Sequence, residues 1–191
     1  MTSIRTGLLS LVALLALALV GPAGASATAV WEHEGAPLEE HVEIGLEGSQ
    51  IFITEAGGMI CEVDATLTAE PGSTGRVTNF TTKKCQGLFG EIAGCTVTGA
   101  EQPAGPWDVH VNTADLTATE VALVRTFNEG CPVKRIESNI PELTTLLPEP
   151  GAIGEIEYFG NGGASIDGGP VGEYEEIGSW FVNPAGTYGI G

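Results

Sequence analysis

The chain has 191 residues, enough for one domain of ordinary size, and its 25 acidic against 7 basic residues give a formal net charge of −18. This charge repels phosphate backbones and anionic lipid headgroups, so it excludes nucleic acid as a partner and argues against binding to a membrane surface. It is compatible with cations or basic proteins, and it also keeps a secreted domain soluble.

The first residues have the pattern of a signal peptide. Arg5 precedes an uncharged apolar run from Leu8 to Val20, and Gly21-Pro22 then breaks the helix. Ala25-Ser26-Ala27 offers the small-x-small cleavage pattern, so we expect cleavage after Ala27 and export of the remainder. An uncleaved membrane anchor is the alternative, which the shortness of the apolar run disfavours. We expect no transmembrane segment in the mature chain.

The first predicted hairpin follows an acidic stretch. Residues 28–47 predict one strand with an irregular lead-in, and Gln50–Thr54 predicts a short apolar strand that stops at Gly57-Gly58. Met59–Ala69 alternates apolar and polar side chains, the pattern of a half-buried strand. A turn around residues 71–75 should return the chain as an antiparallel strand over Arg76–Lys84.

Four cysteines remain after export: Cys61, Cys85, Cys95 and Cys131. An even number in an exported chain indicates two disulfides, and it allows three connectivities. Zinc binding would need thiol pairs about two to four residues apart, and no pair here is that close. Disulfides are therefore favoured over a metal site.

Strand phase distinguishes between the connectivities. A turn centred on Ser73 places Cys61 opposite Cys85, although Phe80 then falls on the wrong face unless the strand contains a β-bulge. The two remaining cysteines share a face with apolar neighbours and point inward. The pattern predicts Cys61–Cys85 and Cys95–Cys131.

The middle of the chain predicts three further strands, at Gly94–Ala100, Trp107–Val111 and Leu116–Phe127. A proline-containing loop at Pro103–Pro106 separates the first two, because such a segment cannot lie in a central strand. A turn at residues 113–115 separates the last two.

The C-terminal third changes in composition. Ser138–Leu147 predicts a short helix with Pro141 in its first turn. The glycine-rich, acidic segment from residue 148 to 191 still contains too many aromatic residues for a disordered tail. Its predicted strands are Gly154–Phe159, Tyr174–Val182 and Thr187–Ile190.

Together these elements predict an all-β fold, an antiparallel β-sandwich or Greek-key barrel with two disulfides and glycine-rich C-terminal hairpins. Residues 1–27 form the signal peptide, residues 28–147 the disulfide-stapled domain, and residues 148–191 a segment that completes or decorates the sheet.

No catalytic, metal or cofactor motif is evident. None of His33, His41 and His110 accompanies a nucleophile elbow or zinc-protease spacing. Adjacent acids at Glu39-Glu40 and Glu175-Glu176 point to opposite faces of a strand, so neither pair forms a glycosidase dyad, and solvated charge is the default expectation. Residues 160–169 contain one degenerate copy of a calcium-binding repeat, which a glycine-rich hairpin loop explains better.

Aromatic residues are candidates for carbohydrate binding, since exposed rings stack on sugar faces. Trp107 alternates with inward valines and should belong to the core. Trp31 and Trp180 are the candidates for sugar binding.

The region from Gly58 to Ser138 resembles secreted proteins of unknown function that recur in high-GC actinobacteria. The segments that carry the resemblance are Cys61, Leu67–Gly75, Ala93–Thr98, Pro106–His110 and Gly130–Pro132. The resemblance covers under half of the chain. It implies export and a disulfide-bonded β-domain, and it assigns no activity or site residue.

We therefore expect a non-enzymatic domain that is secreted or held at the extracellular cell surface, with a structural or binding role and no cofactor. One alternative is a module that binds carbohydrate or cell-wall polymer; the partner could equally be another surface protein. The other alternative is a secreted hydrolase, which would need two carboxylates from different strands about 5–9 Å apart in a cleft.

Overall fold

The computed structural model describes residues 29–112, 115–146, 151–183 and 187–191. This part of the chain contains strands and turns, and no helix in it is long and apolar enough to cross a membrane. The all-β prediction is confirmed. The strands are β1 (Trp31–His33), β2 (Ala36–Pro37), β3 (Val42–Thr54), β4 (Gly57–Ala69), β5 (Thr74–Gly90), β6 (Val97–Glu101), β7 (Trp107–Val111), β8 (Asp115–Phe127), β9 (Arg135–Leu146), β10 (Gly151–Ala152), β11 (Glu155–Ile166), β12 (Val171–Asn183) and β13 (Tyr188–Ile190).

Eight antiparallel strands close into a barrel. Their order around the wall is β8-β7-β5-β4-β3-β12-β11-β9, and β9 pairs with β8 to complete the ring. Neighbouring strands of the wall are also consecutive wall strands along the chain. The first of them, β3, pairs with the last, β12, for example through Thr54 and Tyr174. The barrel alternative is therefore the one observed, with its strands in up-and-down order. β6 pairs with the second half of β8, beyond the end of β7.

A small second sheet, in the order β10-β13-β1-β2, covers one end of the barrel. Trp31 fixes it there: its backbone N–H donates to the carbonyl oxygen of Gly72 at 2.9 Å. Its indole N–H donates to the carbonyl oxygen of Thr74 at 2.8 Å. Since both acceptors flank the β4–β5 turn, the indole closes that end of the core.

Both disulfides are confirmed, Cys61–Cys85 between β4 and β5 and Cys95–Cys131 between two loop segments. The bulge that Phe80 required is also present. Asn79 has a φ of 52°, the pairing with β4 shifts beside it, and the Phe80 side chain is buried. A second bulge at Lys84 restores the phase that turns Cys85 inward.

The predicted helix at Ser138–Leu147 is wrong. Residues up to 146 belong to β9, which pairs with β8 and β11, and Leu147 lies outside the described residues. The buried Ile140 and Leu143 have helical spacing because the strand changes phase at the exposed Pro141, opposite a register break in β11. Proline has no N–H for a sheet ladder, so it fits such an irregular position.

The barrel interior is filled with large side chains. Eight-stranded barrels have interiors that side chains can fill or that hold one small ligand. Here the buried side chains include all three tryptophans and both Tyr158 and Tyr174. Glycines make room for them: a Cβ on Gly178 would meet the Tyr158 hydroxyl, and one on Gly162 would meet the backbone of β9. Much of the glycine-rich segment is thus strand, with Gly160–Ile166 inside β11.

Candidate functional site

A cluster of polar side chains lies inside the barrel, on five of its strands. Its members are Gln50 on β3, Arg125 on β8, Ser138 on β9, Tyr158 on β11, and Tyr174 and Glu176 on β12. All six are buried. Strand parity explains how they meet, because each lies on the inward face of its strand.

An ion pair forms the centre of the cluster. Arg125 Nη2 lies 3.1 Å from Glu176 Oε2, and the two side chains are 0% and 2% exposed. Arg125 Nη1 donates to the Tyr174 hydroxyl at 2.9 Å, and that hydroxyl in turn donates to Glu176. The guanidinium also lies over the Phe52 ring, 4.4 Å from its centroid. The Gln50 amide oxygen accepts from Arg125 Nη2 at 2.6 Å when it faces the guanidinium.

Burial sets the titration of these groups. It raises the pKa of Tyr158 well above 10.0. It also raises the pKa of Tyr174, because the effect of burial is larger than the opposite effect of the Arg125 charge. Burial alone would lower the pKa of Arg125, but Tyr174 and Glu176 outweigh it and raise that pKa above its usual value. Both phenols therefore stay protonated and the guanidinium stays charged at neutral pH.

This cluster is suited to joining strands rather than to chemistry. Its ion pair is closed to solvent, and each protonated phenol serves as a hydrogen-bond donor or acceptor to a neighbour within the cluster. A substrate would have no path to Glu176 without opening of the wall.

The outer wall carries four large apolar side chains in one line. Ile60 on β4 pairs with Ile51 on β3, Ile51 pairs with Ile177 on β12, and Ile177 pairs with Phe159 on β11. Their exposures range from 36% for Ile60 to 56% for Ile177. We call these four residues the apolar row. Scattered exposed apolar residues are ordinary, but a contiguous line across four strands is a feature of interaction surfaces.

A polar row runs beside it, on the same outer face and displaced by two residues in the same direction across all four antiparallel strands. Its members are Glu62, Ser49, Ser179 and Glu157, in the same strand order. The two serines are small, so the wall is hollowed between the rows. The resulting cavity has a volume of about 360 Å³. Its lining consists of all four residues of the apolar row, three residues of the polar row (Ser49, Ser179 and Glu157), and the neighbouring Gln50, Tyr158 and Gly178.

The charge on these four strands has one sign. β3, β4, β11 and β12 contain no Lys, Arg or His. Their outward-facing positions carry Glu43, Glu47, Glu62, Asp64, Glu155, Glu157, Glu173 and Glu175. Lys83 and Lys84 on β5 pair with Asp64 and Glu62 at one border of this face. Glu155, Glu157 and Glu175 form no ion pair with any residue that the structure describes.

The two candidate sugar-binding tryptophans are not surface residues. Trp31 and Trp180 are 1% and 2% exposed, so neither ring can stack on a sugar. Trp31 closes the end of the barrel, and Trp180 packs against Tyr158 with ring centroids 4.5 Å apart. Trp107 belongs to the core, where it packs against Phe80.

Most of the other polar residues considered from the sequence have local roles or face solvent. His33 stacks on Tyr188, and His110 faces outward on β7. No group of three His, Cys, Asp or Glu side chains that could hold a metal occurs among the described residues. Asp167, from the suggested calcium repeat, accepts hydrogen bonds from the backbone N–H groups of Lys134 and Arg135.

The pair Glu175-Glu176 points to opposite faces of β12, as strand geometry predicts. The default expectation of solvated charge holds for Glu175 and is wrong for Glu176, which lies against Arg125 inside the barrel. Glu62 and Glu157 lie at opposite ends of the polar row. Because β3 and β12 lie between their strands, they are about 14 Å apart across the sheet, too far for a glycosidase pair.

Sequence reasoning missed the residues of the apolar row. The signal was present in part, since Ile51 and Ile177 have the opposite parity to their buried neighbours Phe52 and Glu176. Alternation alone does not show which face of Gln50–Thr54 is buried, because both faces carry apolar side chains.

Comparisons with protein-family models, curated proteins and solved structures find no match to this chain.

Proposed function

We propose that this chain is an exported, non-catalytic binding protein whose binding surface is the apolar row with the adjoining hollow. The signal-peptide pattern of residues 1–27, the two disulfides and the resemblance to actinobacterial secreted proteins support export, either into the medium or to the cell surface.

One observation carries the proposal: four large apolar side chains remain exposed in register across four strands. Isoleucine and phenylalanine each gain about 1.5–3 kcal/mol when they leave water, so a partner that covers the row recovers several kcal/mol. The barrel interior offers no comparable surface, since buried side chains occupy it.

Two features support the absence of catalysis. The buried polar cluster around Arg125 and Glu176 is closed to solvent. Glu157 is the single carboxylate among the described residues that line the hollow beside the apolar row, and a two-carboxylate hydrolysis would need two of them in one cleft.

Carbohydrate or cell-wall polymer is the second candidate ligand. Phe159 and Phe181, 46% and 53% exposed, lie on the outer faces of neighbouring strands. Exposed rings on one wall are what a sugar-binding surface needs. The serines and Glu157 of the hollow would supply hydrogen bonds to hydroxyl groups.

The test is retention of envelope components on the immobilised, oxidised protein. We expect the protein to retain a component that an Ile51→Ser/Ile177→Ser variant loses. Val171→Ser is the matched control, because Val171 is 73% exposed on the outer wall and lies outside the apolar row. Equal retention by all three proteins, or turnover of the retained component, would contradict the proposal.

A further inference from the structure

We infer that the apolar row receives a cationic amphipathic segment of another protein, an inference that rests on the binding role proposed above. Such a segment would lay apolar side chains on the row and place Lys or Arg side chains against the neighbouring carboxylates.

The apolar half of this match follows from the spacing of the row. Adjacent strands are about 4.8 Å apart, so the line from Ile60 to Phe159 is about 14 Å long. An amphipathic helix repeats its apolar face about every 5.4 Å, which is close to the strand spacing. Two to three turns of helix would cover the row.

The electrostatic half follows from the one-sided charge of the wall. The four strands that carry the row have eight outward carboxylates and no basic residue. Glu157 lies two residues from Phe159 on the outer face of β11, Glu155 lies two residues beyond it, and neither forms an ion pair with the described residues. A cationic partner would neutralise this repulsion and would be drawn to the face over about one Debye length.

The same charge argues against two other occupants. A second copy of this chain would bring the eight carboxylates of one wall against those of the other, and like-charge contacts cost several kcal/mol. Anionic polymers would be repelled for the same reason. A neutral glycan is bound through aromatic rings and hydrogen bonds, and the side chains of Ile51, Ile60 and Ile177 offer neither.

The test uses a synthetic helical peptide of leucine and lysine, with leucine at positions i, i+3, i+4 and i+7, and a second peptide with glutamate in place of lysine. Fluorescence anisotropy gives the Kd of each for the oxidised protein. We expect the Leu/Lys peptide to bind and the Leu/Glu peptide to bind at least about tenfold more weakly. Raising the salt from about 20 to about 200 mM should weaken the Leu/Lys complex several-fold.

Two double variants locate the contact. Ile51→Ser/Ile177→Ser should raise the Kd at least about tenfold, because it removes two apolar contacts. Glu155→Gln/Glu157→Gln should raise it several-fold. The control is Glu91→Gln/Glu129→Gln, which changes the net charge equally at two exposed loop positions and should leave the Kd unchanged. Equal urea midpoints for all variants would show that each is folded.

The outcomes separate this inference from the proposed function. If Glu155→Gln/Glu157→Gln and Glu91→Gln/Glu129→Gln raise the Kd of the Leu/Lys peptide equally, binding depends on net charge alone and the inference fails. It also fails if sedimentation shows dimers that the row variant dissolves, or if a soluble glycan binds at the row and the Leu/Lys peptide does not. In those last two cases the row still binds a partner, so the proposed function survives.

Discussion

Replacing Glu176 with Gln tests the role of the buried ion pair. The change keeps the shape of the side chain and removes its charge, so it leaves the guanidinium of Arg125 without a counterion. That guanidinium is fully buried and touches Glu176 at 3.1 Å. Removing one partner of such a pair costs about 3–5 kcal/mol, since the remaining charge stays desolvated.

The loss is large on the scale of a domain whose total stability is about 5–15 kcal/mol. For a chain of this size, about 4 kcal/mol corresponds to a fall in Tm of roughly 8–16 °C. Urea unfolding followed by tryptophan fluorescence measures it, because all three tryptophans are buried and change environment on unfolding. The disulfides stay oxidised throughout.

The double variant Arg125→Met/Glu176→Leu provides the control. It removes both charges and fills similar volume with apolar groups, so it should recover most of the stability that Glu176→Gln loses. A loss below about 1 kcal/mol for Glu176→Gln would refute the reasoning. So would a double variant less stable than the single one.

Three further predictions concern stability. Replacing both Cys95 and Cys131 by Ala should lower the free energy of unfolding by about 4 kcal/mol, because their disulfide closes a loop of 36 residues. Urea midpoints under oxidising conditions measure this loss, and an unchanged midpoint would contradict it. Gly178→Ala should cost about 1–3 kcal/mol, since its Cβ would crowd both the Tyr158 hydroxyl and the backbone oxygen of Ser49. The Gly178→Ala/Tyr158→Phe variant, which removes only the hydroxyl, should recover part of the loss. Stability should fall above pH 10, with a slope of up to about 1.4 kcal/mol per pH unit for each phenol, because the raised pKa values of Tyr158 and Tyr174 keep protons on the folded chain that the unfolded chain releases. Tyr158→Phe/Tyr174→Phe should flatten that slope, and an unchanged slope would contradict this cause.

The alternation of side chains predicted the inward cysteines and both disulfide pairings. It also indicated that the pairing of Cys61 with Cys85 needs a bulge near Phe80, the alternative being a different pairing, and the bulge is present. The same reasoning failed at Ser138–Leu147, where Ile140 and Leu143 have helical spacing. Nothing local distinguishes that spacing from a strand that changes phase at Pro141.

The polar cluster could not be predicted, since its members come from five strands spread from residue 50 to residue 176. A buried Arg125 or Glu176 has the same local sequence as an exposed one until its partner is known. The apolar row has the same origin: each member is an ordinary strand residue, and only the pairing of β4, β3, β12 and β11 makes a line of them.

The sequence by itself determined the strand-forming pattern, the excess of negative charge and the inward direction of the cysteines. These follow from the period of two in a strand and from composition, which depend only on near neighbours. The tertiary structure alone decided that β3 meets β12, that Arg125 faces Glu176 and that four apolar residues align on the outer wall. The reason is register: pairing between distant strands is set by the closure of the whole barrel, and a shift of one residue would exchange the inner and outer faces.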